Sequence, residues 1–160
     1  MRYQSFTEFW PYYIREHSVP SNRHVHFLGT SSFLGILGWC LVQSPTTLGP
    51  TLLISLSLIW AAFSMEARRN ASPVLFLVIA LCAWANPWIL LGPVVAYGCA
   101  WFGHFRIEHN RPATFTYTLW SLAGDFRMYG NMLRGRLWTG DGSDVVGPVL
   151  EPGDLLPKTE

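Results

Sequence analysis

The chain has 160 residues, half of them hydrophobic and only 13% charged, with a formal net charge of +1. Soluble domains carry about 25% charged residues, so the composition argues against an ordinary soluble domain and for one membrane-embedded unit. The basic residues are spread among aromatics and form no basic patch, which argues against nucleic acid as a partner.

Ser5-Phe6-Thr7-Glu8 fits a capping box. Phe6, Phe9, Tyr13 and His17 then recur at helical spacing and predict an amphipathic helix. Pro11 kinks that helix or moves its start later. The leader breaks at Val19-Pro20, and Ser21 or Asn22 is placed to cap the next helix. That helix carries His24 and His26 and continues into an apolar run. Nothing before Phe27 has the pattern of a cleaved signal peptide.

Four apolar segments follow, at about 27–42, 50–65, 72–87 and 89–105. Each falls short of the ~20 residues that a perpendicular span needs. Flanking residues at headgroup depth extend them, or the segments form two hairpins that dip in and return. The uncharged stretch Gln43 to Pro50 is predicted as a turn, and Asn86-Pro87 separates the third run from the fourth. Cys40, Cys82 and Cys99 all fall within apolar runs and are expected as buried, unpaired thiols.

The predicted fold is all-α. It is an integral membrane bundle of four short hydrophobic helices in two hairpins, with amphipathic interfacial helices at its N- and C-terminal ends. A soluble four-helix bundle is the alternative, but its helices would show polar faces, and these show almost none. Arg2, Arg15 and Arg23 precede the first segment, Arg68 and Arg69 divide the second from the third, and Arg106 and Arg111 follow the fourth. By the positive-inside rule both termini and the middle loop are cytoplasmic. From Tyr117 to Trp138, Leu119, Leu122, Phe126, Tyr129 and Leu133 read as one apolar stripe along the cytoplasmic membrane face. Residues 1–138 are expected as one domain and 139–160 as a flexible tail rich in Gly, Pro and acidic residues.

All five histidines, His17, His24, His26, His104 and His109, fall at the predicted cytoplasmic boundary. Any one alone is most simply an interfacial ring; five at one boundary point to a site. His24 and His26 point about 200° apart on a helix, so only one of them faces a shared centre. His26 aligns with Thr30, Phe33 and Leu37 toward a bundle interior. His17 ends the aromatic stripe, and His104 ends a face that runs through Tyr97 and Trp101. His104 and Glu108 are i,i+4 neighbours on one helix face, and Pro112 is expected to end that helix near Arg111. Three helix ends thus each bring one imidazole to a common point. Imidazole suits Fe, Zn, Cu and Ni, so ligand type does not identify the metal.

These residues carry a resemblance. Phe9-Trp10-Pro11-Tyr12-Tyr13, Arg15-Glu16-His17, His26-Phe27, Gly103-His104 with Glu108, Arg111-Pro112-Ala113 and Trp120-Ser121-Leu122 resemble the Mpo1-like membrane proteins over roughly residues 5–138. The resemblance implies an iron(II)-dependent dioxygenase that shortens 2-hydroxy fatty acids by one carbon in alpha-oxidation. In fungi this belongs to phytosphingosine breakdown at the endoplasmic reticulum. The family's histidines carry over to His17, His26 and His104, and neither His24 nor His109 is a ligand by resemblance. A 2-hydroxy acid chelating Fe(II) through carboxylate and hydroxyl, with dioxygen beside it, leaves three positions for protein, which three histidines fill. Glu108 then supports the metal ligands, orienting an imidazole or handling the hydroxyl proton, unless it binds iron in place of one histidine. Arg111 or Arg15 is expected to hold the substrate carboxylate, and the apolar bundle or surrounding lipid its tail.

Two readings of other classes compete. A bis-histidine haem protein needs imidazoles that face each other across the macrocycle. A non-catalytic membrane scaffold needs only interfacial rings. A di-iron hydroxylase is a further enzyme alternative and needs many more clustered ligands.

Overall fold

The three longest helical runs among the described residues each start on a proline. The computed structural model describes residues 2–146 and, among them, six α-helices and no strand. They are α1 (Phe6–Arg15), α2 (Pro20–Gln43), α3 (Pro45–Phe63), α4 (Ser72–Ala85), α5 (Leu91–Phe102) and α6 (Thr118–Leu133). A 3-10 turn at Ser64–Ala67 prolongs α3, another at Pro87–Leu90 leads into α5, and a π-helix at Gly103–Glu108 follows it. Pro20, Pro45 and Pro87 open these runs because a first-turn proline gives up only an N–H that has no helical partner.

The continuous runs Pro20–Gln43, Pro45–Ala67 and Pro87–Glu108 have 24, 23 and 22 residues and are long and apolar enough to cross a membrane. They outrun the apolar segments of the sequence because polar residues at their ends stay helical. The turn expected from Gln43 to Pro50 shrinks to Ser44, and Pro50 lies inside α3. Ser72–Ala85 remains short at 14 residues. Ser21 and Asn22 lie inside α2, so neither caps it; its N-cap is Val19, which has no capping side chain. Ser5 does cap α1, accepting from the Glu8 N–H at 3.2 Å, while the Glu8 carboxylate reaches back to the Gln4 N–H at 3.0 Å.

The tightest packing joins α2 to α5 and α3 to α4, rather than the chain neighbours of the two expected hairpins. Small residues explain this. A Cβ on Gly29 would come within 2.9 Å of Cys99 Cβ and 3.2 Å of the Ala96 carbonyl oxygen. One on Gly92 would meet the Phe33 ring at 2.9 Å. Backbones approach this closely only where side chains are missing. Large apolar side chains face outward instead, with Trp60 85% and Trp84 83% exposed.

The turns at Ser44 and Asn86 meet at one end of the bundle, where Asn86 Nδ2 donates to Ser44 Oγ at 3.2 Å. Neither turn carries Lys or Arg. At the other end α1 and α6 close over the helices. Phe9, Trp10, Tyr13, Tyr117 and Trp120 form an aromatic core there, and Trp120 Nε1 donates to the Phe63 carbonyl at 3.0 Å. The buried face of α6 runs through Trp120, Ser121, Gly124, Met128 and Met132. The expected stripe is therefore rotated only in part: Leu119 is buried and Leu133 exposed, while Phe126 is half-exposed with its ring edge-on to Phe33. Tyr13 accounts for the rotation: its ring lies where a Gly124 side chain would be, 2.8 Å from the position of the missing Cβ.

Arg23 ties this end together. It is fully buried and gives all five N–H donors to carbonyl oxygens: His17 and Ser18 at 2.8 Å each, Leu137 at 2.8 Å, Thr139 at 3.1 Å and Gly140 at 2.7 Å. Of the tail expected from Thr139 onward, residues 147–160 lie outside the described residues.

Gly29→Ala is expected to destabilise the α2–α5 seam by about 1–3 kcal/mol. Gly35→Ala, where nothing lies within 4 Å of the new Cβ, should gain about 0.5–1 kcal/mol from helix propensity. Thermal unfolding of both variants in the same detergent checks the difference in sign.

Candidate metal centre

Helix α1 ends at Arg15, and its last turn carries the chain to His17, whose N–H bonds to the Ile14 carbonyl at 2.9 Å. The His17 ring stacks on Tyr13 with centroids 4.2 Å apart. His26 comes from the second turn of α2, and His104 from the start of the π-helix. Each of the three histidines brings one ring nitrogen to within 4.8 Å of the others, and all three are buried. Their ring centroids lie 4.6, 4.6 and 5.2 Å apart in edge-to-face pairs. That spacing admits an ion and leaves no room for a haem plane between two imidazoles.

The remaining ring nitrogens are held by acceptors. His17 Nδ1 donates to the Tyr13 carbonyl at 2.6 Å, and His26 Nδ1 donates to Asp125 Oδ1 at 2.7 Å. His104 Nδ1 donates to Asn110 Oδ1 at 2.7 Å. The Asn110 amide can only face this way, because its Nδ2 donates to Glu16 O and Glu16 Oε2, both at 2.9 Å. A backbone carbonyl, a carboxylate and an amide oxygen therefore fix each proton on Nδ1. The Nε2 atoms of His17 and His26 are left buried with no hydrogen-bond partner. Buried polar nitrogens are rarely left so, and three imidazoles anchored through their outer nitrogens are the usual arrangement of metal-binding histidines. The residues fit a metal ion.

Electrostatics favour the same state. Burial pushes the His17 pKa well below its ordinary value, and His26 and His104 push it further down, so the ring is neutral with a free lone pair. Burial raises the Tyr13 phenol well above its ordinary value, as does the charge of Asp125. It stays a donor and gives its O–H to Asp125 Oδ1 at 2.7 Å.

The π-helix changes the part of Glu108. Its carboxylate does not hold an imidazole; it accepts from the Val19 N–H at 2.8 Å and from Ser18 Oγ and Asn22 Nδ2 at 3.4 Å. It thus serves as a remote acceptor at the positive end of α2, in place of the missing side-chain cap. The helix ends at Glu108, three residues before Arg111. His109 follows in the left-handed conformation at φ 56°, and the Asn110 N–H returns to the His104 carbonyl at 3.0 Å. That reversal is what carries the Asn110 side chain back to His104. Arg111 is exposed with its guanidinium 5.1 Å from the Phe115 ring centre, and Arg15 is exposed at the end of α1. His24 is exposed and bonds the Trp138 carbonyl at 3.0 Å, and His109 is exposed.

Asp125 and Asn110 escape the sequence pattern. Asp125 lies on a helix whose polar positions read as facing water, and Asn110 follows an unpredicted π turn. The one available signal was Gly124-Asp125, a small residue and an acid on the face that approaches α1. Beside Asp125 and His26 begins a cavity of about 260 Å³ that runs between the α2–α5 and α3–α4 pairs.

A family model described as 2-hydroxy-palmitic acid dioxygenase Mpo1-like matches residues 3–137. No curated protein and no solved structure matches the chain. The match covers most of the sequence, and the chain belongs to the Mpo1-like family.

Asp125→Asn is expected to weaken metal binding about 10–100-fold while keeping all three histidines, because the anchor of His26 loses its charge. Gly103→Ala should act by a different route: its Cβ would fall on the Asn22 amide oxygen and push α2 from the π-helix, separating His26 from His104. Equilibrium dialysis against iron(II), zinc or cobalt(II), with metal counted per chain, checks both.

Proposed function

We propose that this Mpo1-like protein is an iron(II)-dependent dioxygenase that cleaves 2-hydroxy fatty acids to acids one carbon shorter. The observation that carries the proposal is the trio of buried imidazoles, with two of its Nε2 atoms unpartnered, beside a cavity with apolar walls. His17, His26 and His104 are the proposed ligands. Iron(II) held there supplies the activation of dioxygen and a chelation point for a 2-hydroxy carboxylate. The family name supports the substrate class, and the donor set is consistent with iron.

The chain's own residues do the rest. Asp125 and Asn110 keep two rings in one tautomer and one orientation, and the Tyr13 carbonyl does so for the third. Asp125 also lines the cavity, so it is the carboxylate best placed to take the proton of a substrate hydroxyl. Glu108 becomes a positioning residue that fixes the start of α2, two turns before His26. Arg15 and Arg111 do not line the cavity; their proposed part is to attract the substrate carboxylate at the outer surface.

In this proposal the four apolar helices form a bundle in the bilayer, with α1 and α6 at its interface and both termini cytoplasmic. The concentration of arginines at the α1–α6 end supports that orientation. The catalytic unit expected at 1–138 takes in at least Gly140, whose carbonyl Arg23 holds.

Anaerobic loading with iron(II), followed by oxygen-electrode measurements, tests the assignment. Uptake is expected with 2-hydroxypalmitate and not with palmitate, with pentadecanoate as product. Each of His17→Ala, His26→Ala and His104→Ala should abolish both uptake and iron retention. A Soret band, or uptake indifferent to the 2-hydroxyl, would overturn it.

A further inference from the structure

We infer that the cavity between the two helix pairs is a slot of fixed depth for one unbranched acyl chain, and that side chains at its deep end set the chain length accepted. This rests on the proposed substrate class, but the cavity carries it on three grounds.

The first is polarity. His26 and Asp125 stand in the wall at one end, and Tyr97 also lines it. From there the wall is mostly apolar, with Phe33 among the aliphatic side chains. Ser55 and Cys82 at the far end face each other, Oγ to Sγ 3.5 Å, and so satisfy one another. A ligand with one polar head and a plain hydrocarbon tail matches this. A second polar group on the tail would be buried without a partner.

The second is direction. α2 and α5 run antiparallel, with the metal-binding histidines at one end of the slot. From His26 to Leu37, both in the wall, α2 advances about 16 Å. The slot is therefore long and thin, as a chain in extended conformation requires.

The third is closure. Beyond Leu37, Cys82 and Ile89 the interior is filled by Cys40 and Leu48, both fully buried in the same cluster. The head end meets the metal centre and the tail end meets packed core, so distance between the two is set by the fold. Extra methylenes at the tail end press on that core, and missing ones leave a void there.

The test is photolabelling of the full-length protein in nanodiscs with palmitic acid bearing a diazirine at its terminal carbon. Palmitate lacks the 2-hydroxyl, so binding is read without turnover. Adducts are expected on Leu52, Ser55 or Cys82, and saturated acids of ten to twenty carbons should compete with a sharp optimum. Ser55→Phe should move that optimum shorter by about two carbons, and Leu52→Ala should move it longer. An ω-hydroxy acid should compete about tenfold worse than its parent. Adducts confined to outward residues such as Leu53 and Phe76, phosphatidylcholine competing as well as the acid, or two variants sharing the wild-type optimum would each overturn the inference. The adduct map needs only the wild-type chain, so it decides even if a variant fails to fold. Correct labelling without hydroxy-acid-dependent oxygen uptake would remove the dioxygenase assignment and leave the acyl slot standing.

Discussion

Three oxygen atoms decide where the imidazole lone pairs point. The Tyr13 carbonyl, Asp125 Oδ1 and Asn110 Oδ1 each take the proton of one ring, and the opposite nitrogens are turned inward by default. The three oxygens come from unrelated parts of the chain: the last turn of α1, the middle of α6 and the reversal after the π-helix. Holding them in one place is a demand on the whole head of the molecule. Tyr13 pressed on Gly124 fixes α1 against α6, and Trp120 bonded to Phe63 fixes α6 on the end of α3. A shift of any one of these would rotate a ring before it broke a helix.

The bundle below serves the same end by uneven packing. Glycines bring α2 and α5 into near contact at Gly29 and Gly92, and at Gly103 the π-helix closes on Asn22. This seam carries two of the three histidines, so their separation is set by backbone contact rather than by flexible side chains. On the other side α2 and α5 stand further from α3 and α4, and the space between them is the cavity. Tightness along one seam and slack along the other are two results of one distribution of small residues.

Much of the head could be read from spacing. Phe9, Tyr13 and His17 do lie on one buried face, and His26 rather than His24 turns inward, as a rotation of about 200° between them requires. The apolar runs and their breaks located the helices, though polar helix ends hid the true lengths of three of them. Glu108 shows the limit: i,i+4 spacing placed it beside His104, but a carboxylate is drawn to the unpaired N–H groups at the start of α2. That attraction depends on a contact 89 residues away in the chain, which no local period contains. The π-helix was illegible for a similar reason, since its bonding pattern differs from an α-helix by one residue and leaves the same apolar rhythm. Asp125 was hidden because its helix was assigned to the membrane surface, where an acid needs no explanation.

Arg23 sets a schedule for biosynthesis. Its first two acceptors, at His17 and Ser18, are made before it, but those at Leu137, Thr139 and Gly140 are made 114 to 117 residues later. At ribosomal speeds of about 5–20 residues per second that interval is roughly 6–23 s. During it the guanidinium stands at a helix start with three donors unfilled, and Asp125 arrives only shortly before they are met. The carbonyls that fill Arg23 and the carboxylate that anchors His26 are thus among the last described parts of the chain to be made, and the three histidines can all be anchored only once those parts are in place.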